Sequence, residues 1–561
     1  MTTRRHLLRT GALAGALAAT TVVPAAASGA VADTRPHSAG PRRDPFTLGV
    51  ASGDPTTDGF VLWTRLATDP LATDGRGGMP NRAIPVQWEV ATDERMHRPV
   101  RRGTVVAQHR AAHSVHVEVD GLQPDRPYWY RFRVDSRLSR IGRTRTAPAP
   151  GSMPRSLALA FASCSQYEHG WFTGYRRLAE DGPDLVLHLG DYFYEYTADA
   201  YVAPGGNVRD HVGPETVDLA GYRQRHAQYR TDPDLQAAHA VAPWAVVFDD
   251  HEVDNNWAAD VPENTDELPG FAARRAAAFQ AYYENMPLRR SSLPRADRIQ
   301  IFRRLAWGRL ASFHLLDTRQ FRSDQGCGDG YRADCPDAVD PARSITGDAQ
   351  ERWLLDGFRR SGARWDLLAQ QVFFAQRDST DGPVKTVSMD AWDGYAASRD
   401  RITRGWMDAG VRNPVVLTGD VHAHWAGDLK ADYDDPEGPN VGTELVCSSI
   451  TSGGDGQDAA LDAHPWLRWN PHLAMQNNLR GYVNARITPE DMTVDFRVLD
   501  AVSRPDAPAR TRATFVVEDR RPGLNLVADR PLPGTLSRTP QGPSDARLQR
   551  DTIELETERP R

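Results

Sequence analysis

The chain has 561 residues, 40% of them hydrophobic and 25% charged, with a formal net charge of -7. That is the composition of a globular protein with room for two or three domains. It makes no electrostatic case for a nucleic-acid-binding surface, and past the N-terminus no apolar run is long enough to cross a bilayer.

The first segment reads as an address. Thr3-Arg4-Arg5-His6-Leu7-Leu8-Arg9 precedes an apolar stretch over 13–27, and Ala30-Val31-Ala32 follows. A basic start, a short apolar core and a small-residue cleavage site predict a signal peptide over 1–32, excluded from the fold. The adjacent arginines resemble a twin-arginine signal, which engages the export machinery for folded proteins. Thr3 and Leu7 depart from the commonest residues of that signal, so Sec export stays open. By either route the mature protein is expected to be secreted.

Over 45–147 short runs alternate with turns: Phe60-Val61-Leu62-Trp63, Val86-Gln87-Trp88-Glu89-Val90, Val115-His116-Val117-Glu118-Val119 and Tyr128-Trp129-Tyr130-Arg131-Phe132-Arg133-Val134. Period-two alternation predicts a small all-β sandwich of fibronectin or immunoglobulin type. The stretch 122–130 looks like a corner of such a module. Ala147-Pro148-Ala149-Pro150-Gly151-Ser152 reads as a linker.

Over 157–518 strands alternate with helices. Strands are predicted over 157–163, 184–190, 245–249, 310–316, 365–371 and 415–419, helices over 271–284 and 350–359, and further strands over 482–488 and 492–499. The fold class is α/β (α+β), with two packed sheets. From 519 to 561 the chain turns rich in proline and arginine and reads as an extension, surface-hugging or disordered.

Four cysteines in an exported chain raise the question of disulfides. Cys327 and Cys335 share a short glycine-rich loop, where a bridge would contribute about 2–3 kcal/mol. Cys447 reads as a small buried hydrophobe.

Three acidic and histidine clusters end apolar runs: Leu189-Gly190-Asp191-Tyr192-Phe193-Tyr194-Glu195, Phe248-Asp249-Asp250-His251-Glu252 and Thr418-Gly419-Asp420-Val421-His422-Ala423-His424. One aspartate after a strand is ordinarily a cap or a turn. Three in the same setting point to a shared site, because open α/β sheets gather ligands at the carboxyl ends of their strands. Asp191, after a strand and a glycine, is placed to bridge two cations, and Tyr194 to reach the same site. Asp420 and His422, two apart, would project to one side of an extended backbone. His424 reads as an outlying or surface histidine. Carboxylate, phenolate and imidazole suit Fe, Mn, Mg or Ca better than Cu(I), and paired cations ~3.5–4 Å apart clamp a phosphoryl group.

The order Gly-Asp, Asp-His-Glu, Gly-Asp-x-His resembles a variant of the calcineurin-type metallophosphatase pattern, in which Asn-His-Glu and Gly-His-x-His are usual. Asp250 stands for the Asn and Asp420 for the first His. With Phe161-Ala162-Ser163-Cys164-Ser165-Gln166, Asp249 through Asn256, and Ser449-Ile450-Thr451-Ser452-Gly453-Gly454-Asp455-Gly456, the chain is similar to the PhoD-like alkaline phosphatase family over nearly its whole mature length.

The resemblance implies a four-layer metallophosphatase core, two packed sheets flanked by helices, that acts as a phosphatase and phosphodiesterase with one Fe(III) and two Ca(II). Cys164, Asp191, Tyr194 and His422 would hold the iron. Asp191 would bridge to calcium, with Asp250 and Asp420 as further carboxylate ligands. Asn255 and Asn256 are candidates to complete the calcium shell, Asn256 being the one expected to contribute, or else they cap a helix. A phenol with an ordinary pKa near ~10 becomes a phenolate only beside a strongly acidic cation, and Fe(III) fits that demand. Carboxylates in place of Asn and His favour Ca(II), which prefers oxygens. On its residues alone Cys164 reads as a buried structural cysteine; only the resemblance makes it a ligand. His251 is a candidate to orient phosphate or protonate the leaving oxygen, or else a hydrogen-bond donor to Asp250. Arg319, with Arg322, is a candidate phosphate clamp, or else a surface ion pair. The Gly453-Gly454-Asp455-Gly456 turn shapes the wall of the site and is no P-loop, since no Gly-Lys-Ser/Thr follows it.

The expected function is hydrolysis of phosphate mono- or diesters, by in-line attack of metal-activated oxygen on phosphorus, in a secreted monomer. A phospholipase D-like phosphodiesterase is the close alternative. A calcium-stabilised extracellular binding module is the remote one, and it would have no use for a tyrosine ligand.

Overall fold

Two large sheets organise the described residues, 43–533 of the computed structural model. The predicted signal peptide and the chain from 534 onward lie outside them. The larger sheet has ten strands in the order Arg521–Asp529, Ala509–Glu518, Asp491–Leu499, Gly481–Ile487, Leu157–Ala162, Leu185–His188, Pro243–Val246, Val50–Thr56, Gly59–Arg65, Ser114–Val119. Its four central strands, Leu157–Ala162 through Val50–Thr56, are mutually parallel and those towards both edges antiparallel. The second sheet has seven strands, with Ala311–Leu315, Trp365–Ala369, Pro414–Thr418 and Asn440–Val446 parallel at its centre.

Parallel strands are covered on both faces, which is why they read as unbroken apolar runs. Successive side chains take opposite faces. Leu367, Leu417 and Leu445 join Phe161, Leu187 and Val246 of the larger sheet in one apolar cluster. Their neighbours Leu368, Val416 and Val446 pack instead with Leu354, Phe358, Ile402 and Trp406 of the helices Gly347–Arg360 and Ala396–Asp408. The first of these helices buries Gln350, Leu354, Gly357 and Phe358, a stripe at helical spacing, and ends on Arg359 and Arg360, favourable at a helix C-terminus.

The predicted β-rich region contributes to two sheets. Val50–Thr56, Gly59–Arg65 and Ser114–Val119 extend the ten-stranded sheet, with Ser52 opposite Pro243. Ile84–Ala91, Pro99–Ala107, Pro127–Val134, Arg137–Leu138 and Gly142–Arg145 form a sheet of five. Phe60, Leu62 and Val117 from the one pack with Val86, Tyr130 and Phe132 from the other. The corner at 122–130 is tied by Tyr128, whose hydroxyl accepts the Gln123 N–H at 3.0 Å. The stretch read as a linker is pinned at both ends: Ala147 donates to the Thr56 carbonyl at 2.9 Å, and Arg309 to that of Ser152 at 2.7 Å.

Reading 519–561 as one extension is corrected at its start. Arg521–Asp529 is an edge strand paired with Ala509–Glu518. Its exposed, Pro- and Arg-bearing sequence suits an edge and hides the strand from a hydrophobicity pattern. Cys327 and Cys335 are disulfide-bonded, and Cys164 and Cys447 are free and buried. Among the described residues no helix is long and apolar enough to cross a membrane.

Candidate metal centre

Each acidic cluster begins where a parallel strand leaves its ladder. Leu185–His188 leads through Gly190 to Asp191, Pro243–Val246 to Asp249 and Asp250, Pro414–Thr418 through Gly419 to Asp420, and Leu157–Ala162 to Cys164. At these exits the backbone is unusual. Cys164, Asp191, Asn256, Asp420 and His422 have φ of 58°, 52°, 49°, 66° and 49°. Five of the seven predicted metal residues thus sit in the left-handed region that residues with a Cβ rarely adopt. Strain of that kind persists only where the surroundings over-determine it, and it gathers at functional sites.

The surroundings do over-determine it. Glu252 accepts backbone N–H groups from Asp191 at 3.1 Å, Tyr192 at 2.7 Å and Asp249 at 3.0 Å. Cys164 donates to the Gly190 carbonyl at 3.1 Å, and Ser165 to that of Asp191 at 2.9 Å. Gly190, at φ 116°, is required: a Cβ there would lie 2.5 Å from that of Asp249. One expectation is corrected here. Asp420 and His422 lie in a bend after the strand has ended, so extended geometry is not what orients them. Nor is His424 a surface residue. It is buried, its Nδ1 accepts the Ser448 N–H at 3.0 Å, and it packs edge-on to Phe496.

The donors converge on the Tyr194 oxygen. That hydroxyl donates to Asp191 Oδ2 at 3.1 Å, lies 3.0 Å from His422 Nε2, and accepts from Ser452 Oγ at 2.8 Å. Cys164, Asp191 and His422 each offer a ligand atom within 4.8 Å of the others, and so do Asp191, Asp250 and His251. All of these residues are buried, and Asp191 belongs to both groups, the place a bridging carboxylate would take. Its Oδ1 is buried with no hydrogen-bond partner.

The electrostatics ask for cations. Burial pushes the Asp191 carboxyl well above its ordinary pKa; His251 opposes this, and Asp250 and Asp249 add to it. Burial, then the field of Asp191, pushes up both the Cys164 thiol and the Tyr194 phenol. Burial followed by Asp249 and Asp390 raises Asp420. Burial carries Asp249 up to about 7 despite Arg319, and Glu252 to about 8 despite its backbone donors. Thiolate, phenolate and several carboxylates cannot ionise together in one buried site without added positive charge. Cations of the kind the donors favour would supply it, so the residues present fit a metal centre.

Around this core the remaining candidates fall into place. Asn256 donates its backbone N–H to Asp250 Oδ2 at 2.7 Å and its Nδ2 to Asp329 at 2.9 Å, leaving Oδ1 as the atom it can turn on a cation. Asn255 donates its backbone N–H to Glu195 at 3.0 Å. His251 packs against Tyr194 with ring centroids 4.0 Å apart and the rings tilted by 35°, and its Nδ1 meets Glu195 Oε2 at 2.8 Å, so Nε2 is the nitrogen left for the site. Burial works against its protonation, but Glu195, Asp250 and Asp191 together hold it well above an ordinary imidazole.

Arg319 and Arg322 do not make the surface ion pairs left open by the sequence; both are buried. Arg319 donates from Nε to Asp249 at 2.6 Å and from both terminal nitrogens to Asp390 at 2.8 and 2.9 Å, and it lies 3.7 Å from Asp250. Arg322 pairs with the same Asp390. The Gly453–Gly454 turn borders the site: Arg480 donates to the Gly454 carbonyl at 2.8 Å and also to that of His422.

Sequence reasoning assigned no role to Glu195, Asp249, Glu252, Asp390, Ser452 or Arg480. The first three lie beside predicted site residues (Tyr194, Asp250 and His251) in the same motifs, and that adjacency was their signal. Asp390 and Arg480 carry none locally.

The family model for PhoD-like phosphatase matches residues 159–496, and that for the PhoD-like phosphatase N-terminal domain matches 30–148. Alkaline phosphatase D of Bacillus subtilis (strain 168) is 48% identical over 501 residues, spanning 89% of this chain and 85% of that protein. The solved structure of PhoD has a TM-score of 0.87 at 47% identity, covering 92% of this chain and 98% of that one.

Proposed function

Because the chain belongs to the PhoD-like phosphatase family, we propose that it is a secreted, metal-dependent phosphoester hydrolase acting on phosphate mono- and diesters. Iron(III) would be held by Cys164, Asp191, Tyr194 and His422, and two calcium ions by Asp191, Asp250, Asp420 and Asn256. When bound, these cations supply Lewis acidity towards the phosphoryl oxygens. His251, kept protonated by Glu195 at 2.8 Å, orients the phosphate and hands a proton from Nε2 to the leaving alcohol oxygen. Arg319 acts from the interior as a positioning residue, fixing Asp249 and Asp390 around Asp250, since its guanidinium is already committed to carboxylates. Glu252 holds the Asp191 turn, and Ser452 orients the Tyr194 oxygen. A layered core with an immunoglobulin-like N-terminal sandwich, export by the twin-arginine route and a monomeric state belong to the same reading.

The observation that carries it is the meeting of Asp191 and His422 on the Tyr194 oxygen at 3.1 and 3.0 Å, with Asp191 shared between two buried donor groups. The test uses protein produced with its own signal. Metal analysis is expected to find iron and calcium, and the holo protein to absorb visible light through an iron–phenolate band. Tyr194→Phe is expected to lose that band and at least 100-fold in turnover of nitrophenyl phosphate and its bis ester. A colourless holo protein whose Tyr194→Phe variant turns over normally would refute the iron assignment. Phosphatidylcholine as a third substrate reads out the phospholipase D-like alternative.

A further inference from the structure

A separate set of oxygen donors lies outside this centre. Glu168, Asp199 and Asp210 each offer a carboxylate oxygen within 4.8 Å of the other two. Asp199 and Asp210 are exposed, whereas Glu168 is 0% exposed. Its Oε1 accepts the backbone N–H of Asp199 at 3.2 Å and of His211 at 3.1 Å. Its Oε2 is buried and takes no hydrogen bond. His211 Nδ1 lies 3.5 Å from that oxygen but pairs with the Tyr196 carbonyl at 3.0 Å, and Nε2 pairs with the Tyr229 hydroxyl at 3.1 Å. Burial also holds this imidazole well below its ordinary pKa, so it brings no positive charge. Two nearby arginines are only partly committed: Arg209 Nη2 and Arg225 Nε take no hydrogen bond, and the charge of Arg225 opposes, without cancelling, the burial that raises the Glu168 carboxyl. Arg209 serves the Tyr167 and Gly170 carbonyls and Asp232, and Arg225 the carbonyls of Tyr194 and Pro214. A buried carboxylate oxygen without a hydrogen bond is costly, and the residue that carries it is grouped with two further carboxylates.

We propose that Glu168, Asp199 and Asp210 bind a calcium ion, distinct from those of the catalytic centre, that fastens residues 199–210 to Glu168. Three carboxylates with no nitrogen or sulfur donor select a hard cation. Calcium–oxygen distances of about 2.4 Å let one ion bridge oxygens up to about 4.8 Å apart. The fastened segment carries Tyr201, whose carbonyl meets His169 Nε2 at 3.1 Å and whose ring lies 6.4 Å from that of Tyr194. The ion therefore fixes a loop that sets the Tyr201 ring beside that of Tyr194, at the edge of the catalytic centre.

Full-length holo protein and its Asp210→Asn variant, altered at an exposed position, are dialysed against micromolar free calcium, and calcium and iron per chain are measured. The variant is expected to keep its iron and lose one calcium equivalent. The calcium concentration that raises its thermal midpoint should climb at least tenfold, and proteolysis within 199–210 should accelerate. Asp199→Asn is expected to behave alike. Wild-type calcium content and calcium response in both variants would overturn the proposal. So would loss of iron together with calcium, which would trace the effect to the catalytic centre. Because iron is read separately, failure here is distinguishable from failure of the proposed function.

Discussion

Glu252 follows His251 directly, yet its carboxylate is spent on three backbone N–H groups, those of Asp191, Tyr192 and Asp249. Its work is to keep Asp191 at φ 52°. Glu252→Ala would leave these three buried donors unmet, and a loss of roughly 3–9 kcal/mol is expected in urea unfolding, at about 1–3 kcal/mol per unsatisfied group. Metal content should fall with it, and Glu252→Gln, which keeps an acceptor, should lose less. At the neighbouring position, His251→Gln is expected to lower kcat by roughly 10²–10⁴ with metals retained. Glu195→Gln, which keeps a hydrogen bond to Nδ1 but removes the charge behind it, should lower kcat less. These supporting residues show where sequence reading stops. A ligand is legible because few residue types bind metals. A carboxylate that holds backbone amides looks like any other acid, and an αL conformation at Cys164 or His422 leaves no mark in the residue type.

Among the elements, the parallel strands at the centre of both sheets were legible because burial on both faces demands unbroken apolar runs, as in Leu185–His188 and Pro414–Thr418. Arg521–Asp529 was not, since an edge strand is selected against stickiness and carries polar residues. Nor was the sharing of a sheet between Val50–Thr56 and Pro243–Val246, because register across such a span is decided by tertiary packing. Asp420 and His422 were rightly brought to one region for the wrong local reason, a bend taking the place of extended chain. The helix Gly347–Arg360 rests on its apolar stripe, so Leu354→Ala is expected to cost roughly 2–5 kcal/mol in thermal or urea unfolding. It should leave turnover at the folded state's value, since that residue packs on the far side of the seven-stranded sheet from the apolar cluster shared with the larger one.

For the molecule as a whole, the buried anionic centre couples stability to its cations. Calorimetry with and without a chelator is expected to show a lower midpoint for stripped protein, restored by adding back iron and calcium. A ligand at 100 times its dissociation constant contributes about 2.7 kcal/mol; an unchanged midpoint would mean that the acids need no counter-ions. The order of the ten-stranded sheet has a different consequence. Its strand Leu157–Ala162 lies between Leu185–His188 and Gly481–Ile487. The ribosome delivers those two neighbours at very different times, so one flank of Leu157–Ala162 stays open until Gly481–Ile487 has been made. A nascent or stalled chain thus displays a bare pairing surface throughout that interval, inviting rescue by chaperones or association with its own copies. Yield in a foreign host should then depend on how fast the chain is elongated from Ala162 to Ile487, more than on how sturdy the folded protein is.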